Sequence, residues 1–105
     1  RGLAEEAITF AFEMYITSPQ LEEKLWRRLQ AISVEDVGFG DLSAPVLINA
    51  LNQMRQNFPY TDGDRPSFFV HAIRYLAAHS PTVRAQGQTY QIAYRLHVGD
   101  NLFEG

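Results

Sequence analysis

The sequence predicts an all-α fold, a compact bundle of about five helices within a single domain. Two observations support this class. Apolar residues recur at three- and four-residue steps in four separate stretches, which is the spacing of a helix with one buried face. In addition, Ser18–Pro19 and Ser80–Pro81 fall at stretch boundaries, where serine can cap a helix and proline suits its first turn.

The first two helices are predicted at about residues 3–17 and 19–35. The buried stripe of the first is expected to consist of Ala4, Ile8, Ala11, Phe12 and Tyr15. The buried stripe of the second is expected to consist of Leu21, Leu25, Leu29 and Ile32. Glu23 and Arg27 stand four residues apart and are expected to pair on the solvent-facing side of the second helix.

The third helix is predicted to begin at Ser43-Ala44-Pro45, with Asp41 as a competing cap, and to end before Pro59. Its buried stripe is expected to consist of Leu47, Leu51, Met54 and Phe58. A polar turn over residues 59–64 leads to a fourth helix at about 65–79. That helix is apolar almost all round, which predicts a central position in the bundle.

The last stretch is ambiguous between helix and strand. Tyr90, Ile92, Tyr94, Leu96 and Val98 alternate with more polar residues, which is strand periodicity. The serine-proline start and the lack of a partner strand elsewhere favour a helix over about 82–97, because a lone strand leaves its backbone groups unpaired.

Composition restricts the function classes. The chain has 105 residues, a net charge of −3 and no cysteine, so there is no strong basic field for nucleic acid and no disulfide framework. No apolar run approaches the roughly 20 residues that span a bilayer. These features are compatible with the cytoplasm and argue against a membrane partner. The chain opens on Arg-Gly rather than Met, and we expect it to be a piece of a longer protein.

One segment is more informative than the bulk numbers. Ala-Ile-Ser-Val-Glu-Asp-Val-Gly-Phe-Gly-Asp, residues 31–41, follows an Arg-Arg-Leu run at residues 27–29, and Pro66 precedes a Tyr-Leu-Ala run at 75–77. In order and spacing, residues 4–84 resemble the C-terminal region of the replication-associated recombination protein A (RarA/MgsA) family. That family of AAA+ ATPases is related to Werner-helicase-interacting protein and clamp loaders. The extra Val34 and the Ser-Pro-Thr-Val-Arg run at 80–84 depart from the family pattern.

The resemblance implies a fold similar to the clamp-loader collar and a role in oligomerisation rather than catalysis. It implies that ATP and Mg act only in the ATPase core of a parent protein, with no cofactor bound by this chain. Partners implied through the parent are DNA and single-stranded-DNA-binding protein, alongside further copies of the chain. The residues that match the family motifs, with a structural or interface role, are Arg27, Arg28, Glu35, Asp36, Gly38, Pro66 and Tyr75.

The chemistry-bearing residues do not form a recognisable catalytic set. The Gly-x-x-x-x-Gly-Lys-Ser/Thr loop that cradles phosphates is missing, and Gly38-Phe39-Gly40 is better interpreted as a helix-ending turn. Glu35 and Asp36 are adjacent, so on a helix they point about 100° apart; they either brace the following turn or form an inter-subunit ion pair. His71 and His79 are too far apart for a metal clasp, and His71 is expected to be partly buried with one hydrogen bond.

Two contact surfaces are conceivable from sequence. In one, the chain is a stand-alone helical module in which Trp26, Arg27 and Arg28 bind a nucleic acid or a replication protein. Alternatively, the two arginines belong to a solvated face and Trp26 is half-buried. Self-association is supported by large apolar residues that fall off the main stripes. These residues are Phe10, Met14, Trp26, Phe39, Phe68 and Phe103.

Overall fold

A computed structural model describes residues 4–37, 42–79 and 96 of the chain. Within these residues every regular element is helical, so the all-α prediction is confirmed. The four α-helices of this part are α1 (Glu5–Thr17), α2 (Pro19–Ile32), α3 (Ser43–Arg55) and α4 (Pro66–His79). A π-helical turn, Ser33–Val37, follows α2 directly. The predicted number of about five helices is therefore not matched in the described part of the chain.

The break between α1 and α2 is set by Ser18 and Pro19, as predicted. Ser18 has extended backbone angles, and its hydroxyl accepts a hydrogen bond from the Leu21 amide at 3.1 Å. Pro19 occupies the first helical position, where its missing N–H costs nothing. The predicted continuation of α2 to residue 35 is wrong in its last turn. The backbone changes from α- to π-helical at Ser33, whose hydroxyl donates to the Gln30 carbonyl at 2.7 Å.

Helix α3 starts at the predicted place but without a side-chain cap. Its cap position is Leu42, which offers no hydrogen-bonding side chain; Asp41 lies outside the described residues. At its other end, the amides of Gln56, Asn57 and Phe58 bond to carbonyls three residues back, which tightens the chain into turns. The helix therefore ends at Arg55, three residues earlier than the apolar pattern predicted.

Helix α4 is central, as predicted, and packs against α1, α2 and α3. Its fully buried residues include Phe69, Ile73 and Leu76. The Phe69 ring meets Phe12 of α1 edge-on, with centroids 5.0 Å apart. Leu96 is helical and completely buried in the same core. The other residues of the predicted fifth helix, or competing strand, lie outside the described part.

The predicted buried stripes are mostly confirmed in α2, where Leu25, Leu29 and Ile32 are buried, and are confirmed only in part in the other helices, for Ala4, Ala11 and Tyr15 in or next to α1 and for Leu51 in α3. In α1, Ala7 and Met14 are buried, whereas Phe12 is 38% exposed. In α3 the expected stripe is wrong for Met54, which is 41% exposed, and Leu47 and Phe58 are only half-buried. The residues that α3 buries are Ala44, Ile48, Leu51 and Arg55. The helix is thus rotated so that an arginine, rather than a methionine, faces inward at its end.

The position of Leu76 predicts a large effect of truncation. We expect Leu76→Ala to lower the free energy of unfolding by about 2–5 kcal/mol, because it empties volume that neighbouring helices cannot fully refill. Urea unfolding followed by circular dichroism measures this. Ile16→Ala is the matched control, since Ile16 is 72% exposed and its truncation should cost less than about 0.5 kcal/mol. Equal midpoints for Leu76→Ala and the unmutated chain would show that α4 is not central.

Candidate functional site

The most distinctive polar group in the structure is an ion cluster made of Glu22, Glu23, Arg55 and Arg65. Glu22 and Glu23 come from α2, Arg55 from the last turn of α3, and Arg65 from the residue before α4. Side-chain exposure is 1% for Glu22 and Arg55, 12% for Arg65 and 53% for Glu23. Two carboxylates and two guanidiniums make the cluster neutral, which is the condition under which charges can be buried.

Glu22 is the central member of the ion cluster. Its two carboxylate oxygens accept hydrogen bonds from Nε and Nη2 of Arg65, both at 2.9 Å. Glu22 Oε1 also lies 3.3 Å from Nη1 of Arg55. One carboxylate therefore holds two guanidiniums, and the paired geometry of the Arg65 contact is the strong form of this interaction. The hydrogen bonds that Arg65 donates to Glu22 raise the pKa of Arg65 above its ordinary value.

Arg55 is satisfied on all sides despite its burial. Nη1 and Nη2 donate to the two oxygens of Glu23 at 2.9 and 3.1 Å, and Nε donates to Asn52 Oδ1 at 2.9 Å. Its guanidinium lies 5.5 Å from the centre of the Trp26 ring, within the range of a cation–π contact. The sequence prediction that Glu23 pairs with Arg27 on α2 is thus wrong, because Glu23 turns to Arg55 across the helix pair.

The turn between α3 and α4 is attached to the rest of the domain by a second polar contact. Tyr15 donates its hydroxyl to the Tyr60 carbonyl, and Tyr60 donates its hydroxyl to the Tyr15 carbonyl. The two rings are 4.8 Å apart. Arg65 Nη1 also donates to the Phe58 carbonyl in this turn. Burial, followed by the nearby Glu22 charge, raises the pKa of the Tyr15 phenol.

These contacts pair the charges of the ion cluster with one another. Each carboxylate holds at least one guanidinium, and arginine does not give up its proton at physiological pH. The cluster joins α2, the end of α3 and the turn before α4 at one point, and so helps to fix the relative positions of these three segments.

The family-like residues of α2 and α4 occupy different surroundings. Arg27 is exposed, Arg28 is half-buried, and Pro66 is the half-buried first residue of α4. Tyr75 is half-buried and stacks on His79 with ring centres 4.1 Å apart; the Tyr75 carbonyl accepts from His79 Nδ1 at 2.9 Å. The structure does not gather these residues into one site.

The family-like residues around the glycine motif are only partly described. Glu35 is exposed in the π-helical turn. Asp36 belongs to the same turn, but its side chain, like the whole of Gly38 and Phe39, lies outside the described part of the structure. The bracing and inter-subunit roles expected for Glu35 and Asp36 stay predictions.

Two sequence predictions about exposure need correction. Trp26 is 1% exposed, because it sits on the buried face of α2 beside Arg55 and Leu29; a ring this deep cannot stack on a base or a partner. His71 is exposed rather than partly buried. Among residues 4–37, 42–79 and 96, no group of three His, Cys, Asp or Glu side chains is placed to hold a metal ion.

The apolar residues named for self-association are also mostly covered. Met14 and Trp26 are buried, and Phe10 and Phe68 are half-buried against the core. Phe39 and Phe103 lie outside the described residues. The apolar surface that the described part does show to solvent consists of other residues, on α1, α3 and the π-helical turn. They are Phe12, Ile16, Val34, Leu42, Val46 and Met54.

Three of these exposed residues form a row on α3. Leu42, Val46 and Met54, together with the exposed Ala50, are spaced at four-residue intervals, so they lie along one ridge of the helix. We call these four residues the α3 row. Leu42 is 81% and Val46 71% exposed. The exposed neighbours along the row are uncharged: Ser43, Asn49 and Gln53. The row lies on the side of α3 opposite the buried residues Ala44, Ile48, Leu51 and Arg55.

Helix α2 flanks the α3 row. Glu23 bonds to Arg55 near one end of α3, and Gln30 Nε2 donates to Asn49 Oδ1 at 3.3 Å nearer the other, so the two helices run antiparallel. Val34, 56% exposed, follows Gln30 by one turn and therefore comes to the level of Val46. The α3 row thus has the apolar side chain of Val34 beside it and the amide side chains of Gln30, Asn49 and Gln53 around it.

Part of the exposed surface of α1 has the opposite character. An open groove of about 350 Å³ is lined there by Glu5, Glu6, Thr9, Phe10 and Glu13. Three carboxylates on one face give a negative surface.

None of the described helices is long and apolar enough to cross a membrane.

No family model, curated protein or solved structure matches the chain. The resemblance to the RarA family therefore rests on the motifs described above, and the all-α class rests on the helices themselves.

The Glu23–Arg55 bond predicts a pH dependence of stability. The hydrogen bonds from Arg55 lower the pKa of Glu23 below its ordinary value. A lowered folded-state pKa gives stability that is fully present above the unfolded-state pKa, about 4.3, and is lost as pH falls through the folded-state value. We expect the stability advantage of the unmutated chain over Glu23→Gln to be constant near neutrality and to shrink below about pH 4.3.

Urea midpoints from pH 7 to pH 3 test this dependence. Glu13→Gln is the control, because it removes a carboxylate of α1 outside the ion cluster and should differ from the unmutated chain by less than about 0.5 kcal/mol throughout. Glu23 is half-exposed, so the advantage near neutrality should itself be small, about 0.2–1 kcal/mol. A stability advantage of the unmutated chain over Glu23→Gln that grew as the pH fell would contradict the stabilising role of the Glu23–Arg55 bond.

Proposed function

We propose that this chain is a non-catalytic assembly domain of an AAA+ ATPase similar to the RarA/MgsA family, acting in DNA replication, recombination or repair. The observation that carries the proposal is the α3 row, an exposed, uncharged apolar ridge on an otherwise well-packed helical domain. Exposed apolar surface of this kind, rimmed by polar groups, is typical of protein contact sites.

The role proposed for the chain is to join subunits. Nucleotide chemistry, with ATP and Mg, belongs to the ATPase core of the parent. Contacts with DNA and single-stranded-DNA-binding protein are proposed for the parent as a whole, in the cytoplasm. The order and spacing of the motifs between Arg27 and Tyr75 support this parentage.

The alternative, a stand-alone module that binds nucleic acid or a replication protein through Trp26, Arg27 and Arg28, is less well supported. The Trp26 ring is buried and touches Arg55, so a base has no access to it. Of the three residues, only Arg27 is exposed.

The assembly role predicts concentration-dependent self-association. Multi-angle light scattering on the 105-residue chain, over a series reaching about 100 μM, should show a mass that rises above that of the 11.9 kDa monomer. The same measurement on the parent protein should give a higher-order assembly. A strictly monomeric mass for both proteins across the series would sink the assembly role.

A further inference from the structure

We infer that the α3 row pairs with the same row of a second copy, with the two α3 helices antiparallel about a two-fold axis level with Ile48. This inference rests on the assembly function proposed above and names the face that carries it. It places Leu42 against Met54 of the second copy and Val46 against Ala50, and each contact occurs twice.

The spacing of the α3 row is self-complementary. A two-fold axis midway along the row exchanges Leu42 with Met54 and Val46 with Ala50, because each pair is centred on the same position. Large side chains then meet at the two ends, and the small Ala50 lies opposite Val46 in the middle. A small residue at the crossing lets two helices approach to the usual 8–10 Å, and rows at four-residue intervals pack in the commonest class of helix contact.

Charge favours a second copy on this face over the acidic surface of α1. The chain has a net charge of −3, so two copies repel each other in general. Every exposed residue from 42 to 54 is uncharged, and Arg55, the one charged residue of α3, is turned inward to Glu22 and Glu23. Two copies can therefore meet along α3 without bringing like charges together. If two copies met along this surface of α1 instead, Glu5, Glu6 and Glu13 of one copy would face the same carboxylates of the other.

The available area is adequate for a specific dimer. The α3 row with the neighbouring Val34 offers apolar surface on the order of 500 Å² per copy, and the two-fold doubles it to about the 1,000 Å² that a specific interface requires. Gln30, Asn49 and Gln53 supply an amide rim around it, as interfaces usually have.

A pair of charge variants tests this arrangement on the 105-residue chain. Val46→Glu and Ala50→Lys each put a charge into an apolar contact, and should each raise the dimer dissociation constant at least about tenfold in analytical ultracentrifugation. In an equimolar mixture, the introduced carboxylate meets the introduced ammonium across the axis, so heterodimers should form with an affinity near that of the unmutated chain. Circular dichroism should show both variants folded, since both positions are exposed.

Ile16→Glu is the matched control. Ile16 is 72% exposed, as Val46 is 71%, but it lies on α1, and its replacement should leave the dimer unchanged. Association that survives Val46→Glu, or is lost with Ile16→Glu, would place the interface elsewhere and overturn the inference while the assembly function stands. Loss in both α3 variants without recovery in the mixture would rule out two-fold pairing and indicate that the row contacts a different face of the second copy. A monomeric unmutated chain would overturn the inference, and it would overturn the assembly function only if the parent protein were monomeric as well.

Discussion

The contact on which the rest of the domain depends is the one between the buried Glu22 carboxylate and the two arginines, Arg65 and Arg55. It ties together three segments that are far apart in sequence. An uncompensated buried charge is very costly, so each partner requires the others to be in place. The arrangement of α2, α3 and the turn before α4 is therefore specified by a polar contact within an otherwise apolar core.

Burial of Arg55 has a consequence on the opposite side of α3. Residues 44, 48, 51 and 55 share one face of the helix, and turning Arg55 inward buries that face. The apolar pattern alone predicted that Met54 is buried, whereas Met54 is partly exposed. Val46 also faces outward. The ion cluster and the α3 row thus lie on opposite sides of the same helix.

Sequence reasoning predicted the class, the starts of α3 and α4 and the break at Ser18–Pro19 well, because these depend on local signals such as caps and periodicity. It placed only Leu51 of the α3 stripe correctly, since the contacts of the inward-facing Arg55 are to Glu22 and Glu23 of another helix, and no local pattern reports them. The sequence carries one signal of this contact: Glu22 stands three residues before Leu25 and seven before Leu29, on the apolar stripe of α2, and Arg55 stands four after Leu51 on α3. A charged residue on each of two buried stripes indicates an ion pair between them. The deep burial of Trp26 follows from the same contact.

A double-mutant cycle between Glu22 and Arg65 tests the central role of the buried contact most directly. Glu22→Gln, Arg65→Met and the double variant are compared with the unmutated chain by urea unfolding at neutral pH. If Glu22 anchors the arginines, each single variant loses about 3–5 kcal/mol, and the double variant loses at least about 2 kcal/mol less than the sum of the two. Losses that add to within about 0.5 kcal/mol would show that the two residues do not depend on each other, which would contradict the account.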